Sequence, residues 1–272
     1  MPELPEVETL ARELRETLVG RTITGVDVHW PRTVESPDPE TFAQRLQDRR
    51  IREIRRRGKW LLVGLEGGDW LLLHLRMSGR LTLRERGAPE DPYLRLTLHL
   101  DDGRRLDFSD PRKFGRALLA DSPDKALGNL GPDPLDPALT FQRLAAMLAG
   151  RRARLKPLLM DQRFLAGLGN IYADEVLWEA GLHPLRRADT LSPEEIERLY
   201  QALIAVLERA IRGGGTTLSD RRYLRLDGNP GDFASHLTVY GRAGQPCLRC
   251  GGEIFRISVN GRSAHFCNGC QK

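Results

Sequence analysis

All four cysteines of the chain lie near its C-terminal end, as Cys247-x2-Cys250 and Cys267-x2-Cys270 with sixteen residues between the pairs. Two such knuckles place four thiolates on tight turns, the donor set of a tetrahedral zinc site with no open coordination position. The glycines of "CLRCGG" and "CNGC" suit those turns. A disulfide framework or a thioredoxin-like redox pair could use the same residues. The first is disfavoured in a chain without a secretory signal, and no βαβ pattern surrounds either pair. The spacing therefore predicts one structural Zn2+, on which this segment depends for folding because its apolar content is low. Between the pairs, 253–265 alternates as a hairpin with Asn260-Gly261-Arg262 at its tip. Such a tip projects Arg262 from a rigid base, as a phosphate reader requires.

The opposite end reads "MPELPEVETL", with Pro2 set among Glu3 and Glu6. A proline there is either a plain helix start, whose acidic neighbours complement the helix dipole, or a reagent. Behind it, 5–19 reads as a helix carrying Val7, Leu10, Ala11, Leu14 and Leu18 on one face, with Gly20 as its stop. From 22 to 120 the pattern changes to short alternating apolar runs: "TITGVDV", "KWLLVGLE", "DWLLLHLRM", "RLTLRE", "LRLTLHL" and "RRLDFSD". Breaks at 66–69 and 101–103 are hairpin signals, and antiparallel strands at this spacing predict a β-sandwich. The Pro- and Gly-rich stretch 128–138 reads as a linker. Helices follow over 141–148, from Pro157, over 171–180 with Asn170 as cap and Gly181 as stop, and from the capping box at 192–195. A polar stretch then runs to about 235 with little periodicity, which marks a functional loop or a disordered one.

Net charge is +5, and the cations are clustered. "RRIREIRRRGK" at 49–59, "RRARLK" at 151–156 and the last 35 residues, with five cations against Glu253 alone, suit a polyanion that touches several parts of the fold. No apolar run approaches a membrane span, since His74 and Arg76 interrupt "WLLLHL". These features lead us to expect a cytoplasmic protein without membrane contact.

Seven segments then stand in a telling order: "PELPEVET", "GKWLL" at 58–62, "HLRMSG" at 74–79, "DPRKFG" at 110–115, "GLGNIYADE" at 167–175, "GGTTLSD" at 214–220 and "VYGRAGQPC…NGCQK" at the end. Together they resemble bacterial formamidopyrimidine-DNA glycosylase over nearly the whole chain. The resemblance implies an α+β fold: a β-sandwich with an N-terminal helix (1–130), a helix–two-turn–helix domain with a lesion-capping loop (131–237), and a four-cysteine zinc finger (238–272). It implies a monomer that acts on double-stranded DNA containing oxidised purines. Such an enzyme excises 8-oxoguanine and formamidopyrimidines and then cuts the strand at the abasic site.

What the resemblance implies for single residues is specific. Removal of Met1 exposes the secondary amine of Pro2. An α-amine has a reference pKa near 8, so much more of it is neutral than of lysine, and a neutral amine can attack sugar C1′. Glu3 becomes the proton donor that helps open the deoxyribose, and Glu6 a supporting group. Lys59 contacts phosphate and base and donates a proton in β-elimination; Arg262 does so in δ-elimination. His74, Arg151 and Asn170 stand at DNA contacts. Met77, Arg112 and Phe114 match the residues that fill the gap left by a flipped base. Thr216 and Thr217 open the loop that covers that base. Tyr93 stands where the family has histidine, and Arg221, Arg222 and Asn229 depart from the commoner loop.

Two rival readings remain. Endonuclease VIII shares the chemistry but takes oxidised pyrimidines and starts with PEG where this chain has Pro2-Glu3-Leu4. A non-catalytic zinc-stabilised DNA-binding protein would not require Pro2, Glu3, Lys59 and Arg262 together.

Overall fold

The computed structural model describes all of residues 1–272. They divide into two units, Met1–Gly128 with Gly213–Ala234, and Asn129–Arg212 with Ser235–Lys272.

The first unit opens with helix α1 (Leu4–Leu18). Leu4, Val7, Leu10, Ala11, Leu14 and Leu18 recur every three or four residues and are all buried, so one stripe faces the core. Pro5 sits in the first turn, where its missing N–H costs nothing. Then come β1 (Thr22–Val28), β2 (Val34–Ser36), α2 (Pro39–Leu46), β3 (Arg49–Arg57), β4 (Trp60–Leu65), β5 (Trp70–His74), β6 (Arg80–Arg84), β7 (Leu94–Leu100), β8 (Arg105–Ser109), β9 (Arg116–Ala120) and a short α3 (Pro123–Ala126). Strand order is β2-β9-β5-β4-β3-β1-β7-β8-β6. β1 and β3 pair only through Thr22–Arg50 and Ile23–Arg49. At that narrow seam the strands part into the two layers of a β-sandwich. Leu10 and Leu14 of α1, Ile54, Leu61, Leu71 and Leu73 of one layer, and Leu96 and Phe108 of the other share a single core. Each leucine so buried contributes roughly 2 kcal/mol.

Three elements of this unit depart from the sequence expectation. β3 carries the basic run at 49–57, whose two isoleucines are three residues apart and so look helical. A bulge between Ile51 and Glu53 turns both Ile51 and Ile54 inward. α2 is capped by Asp38, which accepts from the Glu40 and Thr41 N–H groups, and it buries Phe42 and Leu46. β9 completes the layer beside β5.

The second unit holds α4 (Phe141–Leu148), α5 (Leu155–Met160), α6 (Asn170–Ala180), α7 (Pro193–Arg212) and a hairpin of β10 (Ile254–Val259) and β11 (Arg262–Cys267). Ser192 and Glu195 form the expected capping box, each accepting the other's backbone N–H. Gly181 ends α6 in the left-handed conformation at φ +72. The cap of α6 is Gly169, so Asn170 is the first helical residue, and α5 begins at Leu155 ahead of Pro157. No helix is long and apolar enough to cross a membrane.

Two stretches pack with partners distant in the sequence. The stretch 213–234 groups with the first unit, where Tyr223 and Leu226 join the sandwich core. The finger groups with the helices, because Trp178 of α6 packs with Val239, Cys247, Ile254 and Cys267.

Candidate active site

At the start of α1, Pro2, Glu3 and Glu6 are all buried, with Glu3 only 2 % and Glu6 1 % exposed. Carboxylates so placed need donors. Glu6 Oε2 accepts the Glu3 N–H at 2.8 Å, and its other oxygen accepts the Thr216 N–H at 2.7 Å. Glu6 therefore ties the N-terminal residues to the start of the 216–234 loop. Gly215 makes this possible: at φ +80, a Cβ there would stand 3.0 Å from both Glu6 Cγ and Tyr223 Cε1. Thr217 staples the loop from within, donating to the Tyr223 carbonyl at 3.0 Å and accepting the Gly231 N–H at 2.8 Å.

Lys59 lies in the turn between β3 and β4, after Gly58 at φ +57, and is 7 % exposed. The register of β4 on β5 sets Trp60 opposite His74, their rings 4.8 Å apart edge to face. Burial, with the charges of Arg76 and Lys59, pushes the His74 imidazole down to about 3. His74 Nδ1 accepts the Arg76 N–H at 2.9 Å, so the neutral ring carries its proton on Nε2. It can donate one hydrogen bond to an anion but adds no charge.

Met77, Arg112 and Phe114 meet in space. The Arg112 guanidinium stacks 4.8 Å from the Phe114 ring centre, and Nη1 lies 3.5 Å from Met77 Sδ. Phe114 is 45 % exposed, a large apolar group held in solvent. Asp110 holds this wedge up. Its buried carboxylate accepts from Ser78 Oγ at 2.5 Å, from the Phe114 and Gly115 N–H groups at 2.7 Å, and from Arg112 N–H at 3.1 Å. One side chain thus fixes both loops. Phe108 fills the floor, where a Cβ on Gly79 or Gly115 would come within 2.8 or 2.4 Å of its ring. Tyr93 is 48 % exposed, and its carbonyl accepts the Asp110 N–H at 2.8 Å, so it adjoins the same loop.

In the second unit, Arg262 opens β11 and is exposed. It follows a two-residue turn, Asn260 at φ +49 and Gly261 at φ +73, the signature of a right-twisted hairpin. Next to it, Ser263 Oγ accepts from Asn170 Nδ2 at 3.1 Å, and Asn170 Oδ1 is buried without a partner. The structure thus brings Asn170 against Ser263, the residue after Arg262. Arg151 lies elsewhere in this unit, over the Phe164 ring at 5.2 Å.

The hairpin stands on buried charge that the sequence pattern did not disclose. Lys156, 1 % exposed, contacts Asp174 Oδ1 at 2.6 Å and also donates to the Ser263 carbonyl. Asp174 Oδ2 accepts the His265 N–H at 2.9 Å and faces its Nδ1 at 3.0 Å. Glu175 accepts from Thr238, Val239 and Tyr240 backbone N–H groups at 2.8 to 3.0 Å, pinning the chain as it approaches the finger. The one available signal was two adjacent acids in the middle of a largely apolar helix.

The four cysteine sulfurs lie within 4.8 Å of one another. Cys247 and Cys270 are 3.8 Å apart and Cys250 and Cys267 3.5 Å, too far for disulfides. Zn–S bonds of about 2.3 Å in a tetrahedron set sulfurs roughly 3.8 Å apart, so the spacing fits zinc. The donors fit too. Burial pushes the Cys247 thiol up, but N–H groups of Arg249 and the Trp178 indole outweigh it and hold it at about 6. Burial and the neighbouring thiols push Cys270 up to about 12. Four crowded sulfurs of this kind are reconciled by a divalent cation.

Comparison with known proteins covers the chain from end to end. Residues 1–117 match the formamidopyrimidine-DNA glycosylase N-terminal domain, 130–222 the formamidopyrimidine-DNA glycosylase H2TH domain, and 244–272 the zinc finger found in FPG and IleRS. The formamidopyrimidine-DNA glycosylase of Roseiflexus sp. (strain RS-1) is 46% identical, with 100% of both chains covered. A solved complex of a Lactococcus lactis FPG mutant with a Fapy-dG containing DNA has a TM-score of 0.92 at 36% identity, covering 100% of each chain. Lactococcus lactis Fpg bound to an abasic site containing DNA gives 0.91 at 37%, covering 99% of each.

Proposed function

The chain belongs to the formamidopyrimidine-DNA glycosylase family, and from that premise we infer how its residues carry out the reaction. It is a base-excision repair glycosylase acting on double-stranded DNA with oxidised purines such as Fapy-dG, and a lyase at the abasic site. Its cofactor is one structural zinc held by Cys247, Cys250, Cys267 and Cys270. We propose that it works on chromosomal DNA in the cytoplasm, at the nucleoid.

We assign the reagent role to Pro2 after Met1 is removed. The amine nitrogen bonds to C1′ while the bond from C1′ to the damaged base breaks; the base leaves with the electron pair, and the nitrogen gives up its N–H proton to become a neutral tertiary amine. Glu3 protonates the ring oxygen and the sugar opens. The product of a secondary amine is an iminium, cationic without further protonation. Its charge acidifies C2′–H, and loss of that proton expels the 3′ phosphate oxygen; a second elimination expels the 5′ phosphate. Lys59 and Arg262 act as the proton donors of these two steps. Met77, Arg112 and Phe114 occupy the gap in the duplex, at a cost for flipping of a few kcal/mol that their contacts offset. His74, Asn170, Arg151 and Tyr93 serve the DNA backbone, and Thr216 and Thr217 the cover over the base.

The observation that carries this reading is the buried group at the start of α1, where Glu6 joins the Glu3 and Thr216 N–H groups beside Pro2. Borohydride trapping on an 8-oxoguanine·C duplex tests it. A covalent adduct is expected from the processed chain and none from Pro2→Gly. A chain shown by intact mass to retain Met1, yet nicking lesion DNA at the normal rate, overturns the assignment.

A further inference from the structure

The 216–234 stretch has little periodicity, yet it is ordered, by turns of its own and by contacts made to α1. Glu13, half-buried on α1, accepts Arg225 Nε at 2.6 Å with one oxygen and the Leu226 N–H at 2.9 Å with the other. Tyr223 and Leu226 are 5 % and 4 % exposed and pack into the sandwich core. The Tyr223 hydroxyl donates to the Gly214 carbonyl at 2.9 Å, one residue from Gly215 and two from the Thr216 N–H that Glu6 accepts. The loop therefore has two fastenings to α1, besides the Leu83 N–H and Arg80, which donate to the Leu226 and Arg221 carbonyls at 3.4 and 3.2 Å. One is on the side of α1 at Glu13, the other on the backbone that touches Glu6.

We propose that Glu13 and Tyr223 form a latch that keeps residues 216–231 docked on α1 in the free protein, and that Tyr223 is thereby a positioning residue for the Thr216–Thr217 end of the cover. The inference rests on the reading that this loop covers the extruded base. A cover assembled only when the base arrives must order a dozen or so residues at that moment, and that entropy is drawn from binding. A latched cover has already met the cost during folding. Glu13 and Arg225 are 19% and 41% exposed at the side chain, so their pairing alone shifts the equilibrium only several-fold. The latch is accordingly able to open for a nucleotide to enter, as gating loops do. The Tyr223 ring is the apolar half of the fastening and its hydroxyl the half that registers the backbone beside Glu6.

Hydrogen exchange on the full-length, zinc-loaded protein without DNA tests the docked state. In Glu13→Ala, exchange at the Leu226 and Gly231 amides is expected to rise about tenfold while Leu10 and Leu14 in α1 stay protected. Unchanged exchange at those two amides overturns the latch. Single-turnover kinetics test the positioning role. In Tyr223→Phe, which keeps the packing and removes one hydroxyl, release of 8-oxoguanine is expected to slow about tenfold with KM little changed, while cleavage at a preformed abasic site keeps its rate, there being no base to cover. Equal slowing of both reactions, or of neither, overturns the positioning role. If wild-type protein released no oxidised purine, the functional reading would fail while the exchange result stood on its own.

Discussion

The wedge loop of the first unit and the finger of the second each present an exposed arginine, Arg112 and Arg262, on a stiff support, yet the supports are made of opposite materials. Beneath Arg112 lies the sandwich core, with Phe108 filling the floor and a single aspartate tying down the backbone. Arg262 stands on a two-stranded hairpin too small to hold itself, fastened by four thiolates and a buried Lys156–Asp174–His265 network. Apolar burial is proportional to area and needs a large domain behind it. Metal bonds and buried ion pairs hold a small element at one point, but each is lost whole when one partner goes. The first support should therefore yield gradually and the second abruptly.

The largest test of that contrast is Cys267→Ser. Loss of one thiolate is expected to abolish metal content, unfold the hairpin and remove duplex binding, while far-UV circular dichroism still reports the sandwich. A zinc-free variant with full DNA affinity would mean that the finger's fold does not depend on the metal. Next in size is Asp174→Ala, which leaves the Lys156 ammonium buried without its carboxylate, at about 3–5 kcal/mol. The expected result is a large fall in the melting temperature of the second unit with the first unaffected. A change below about 1 kcal/mol would show that the network is dispensable.

The same contrast explains which parts were legible in the sequence. Metal ligands sit three positions apart on tight turns, so the finger was readable from Cys247 to Cys270 without any structure. Helices α1 and α7 and most strands were readable from apolar periodicity. β3 was not, because its bulge gives a strand the spacing of a helix. Nor were the fastenings, since each joins residues far apart in the chain: Ser78 with Asp110 across 32 positions, Lys156 with Ser263 across 107, Glu13 with Arg225 across 212. One sequence does not show which buried charge meets which. The roles of Met77, Arg112 and Phe114 came from family resemblance, and what the structure adds is that the three touch.

Within the sandwich itself, pH offers a middle-sized test. The His74 imidazole is held at about 3, well below its ordinary value of 6.5, chiefly by burial. A folded value below the unfolded one means stability is fully present above about 6.5 and is lost as pH falls from there toward about 3. Between pH 6.5 and pH 5 the loss is about 2 kcal/mol at 1.4 kcal/mol per unit. His74→Gln, which keeps an acceptor for the Arg76 N–H, is expected to flatten this slope in urea unfolding at pH 7.5 and 5. An unaltered slope would assign the acid sensitivity to other groups.

The smallest expected effect falls on Arg112, and it separates support from reading. Because Asp110 holds the loop backbone, Arg112→Ala should leave the fold and the neighbouring Phe114 wedge in place. What it removes is a planar donor fork, able to make a bidentate contact with a base edge worth about 1–3 kcal/mol. Excision opposite cytosine should therefore lose roughly tenfold of its advantage over other partner bases, while affinity for undamaged duplex changes little. Arg112→Lys restores the charge but not the fork, so it should recover general binding without recovering discrimination. If lysine restores both, or if alanine weakens every duplex equally, the guanidinium acts on the phosphates as plain charge, and the wedge would then differ from the finger in how it is supported but not in what it recognises.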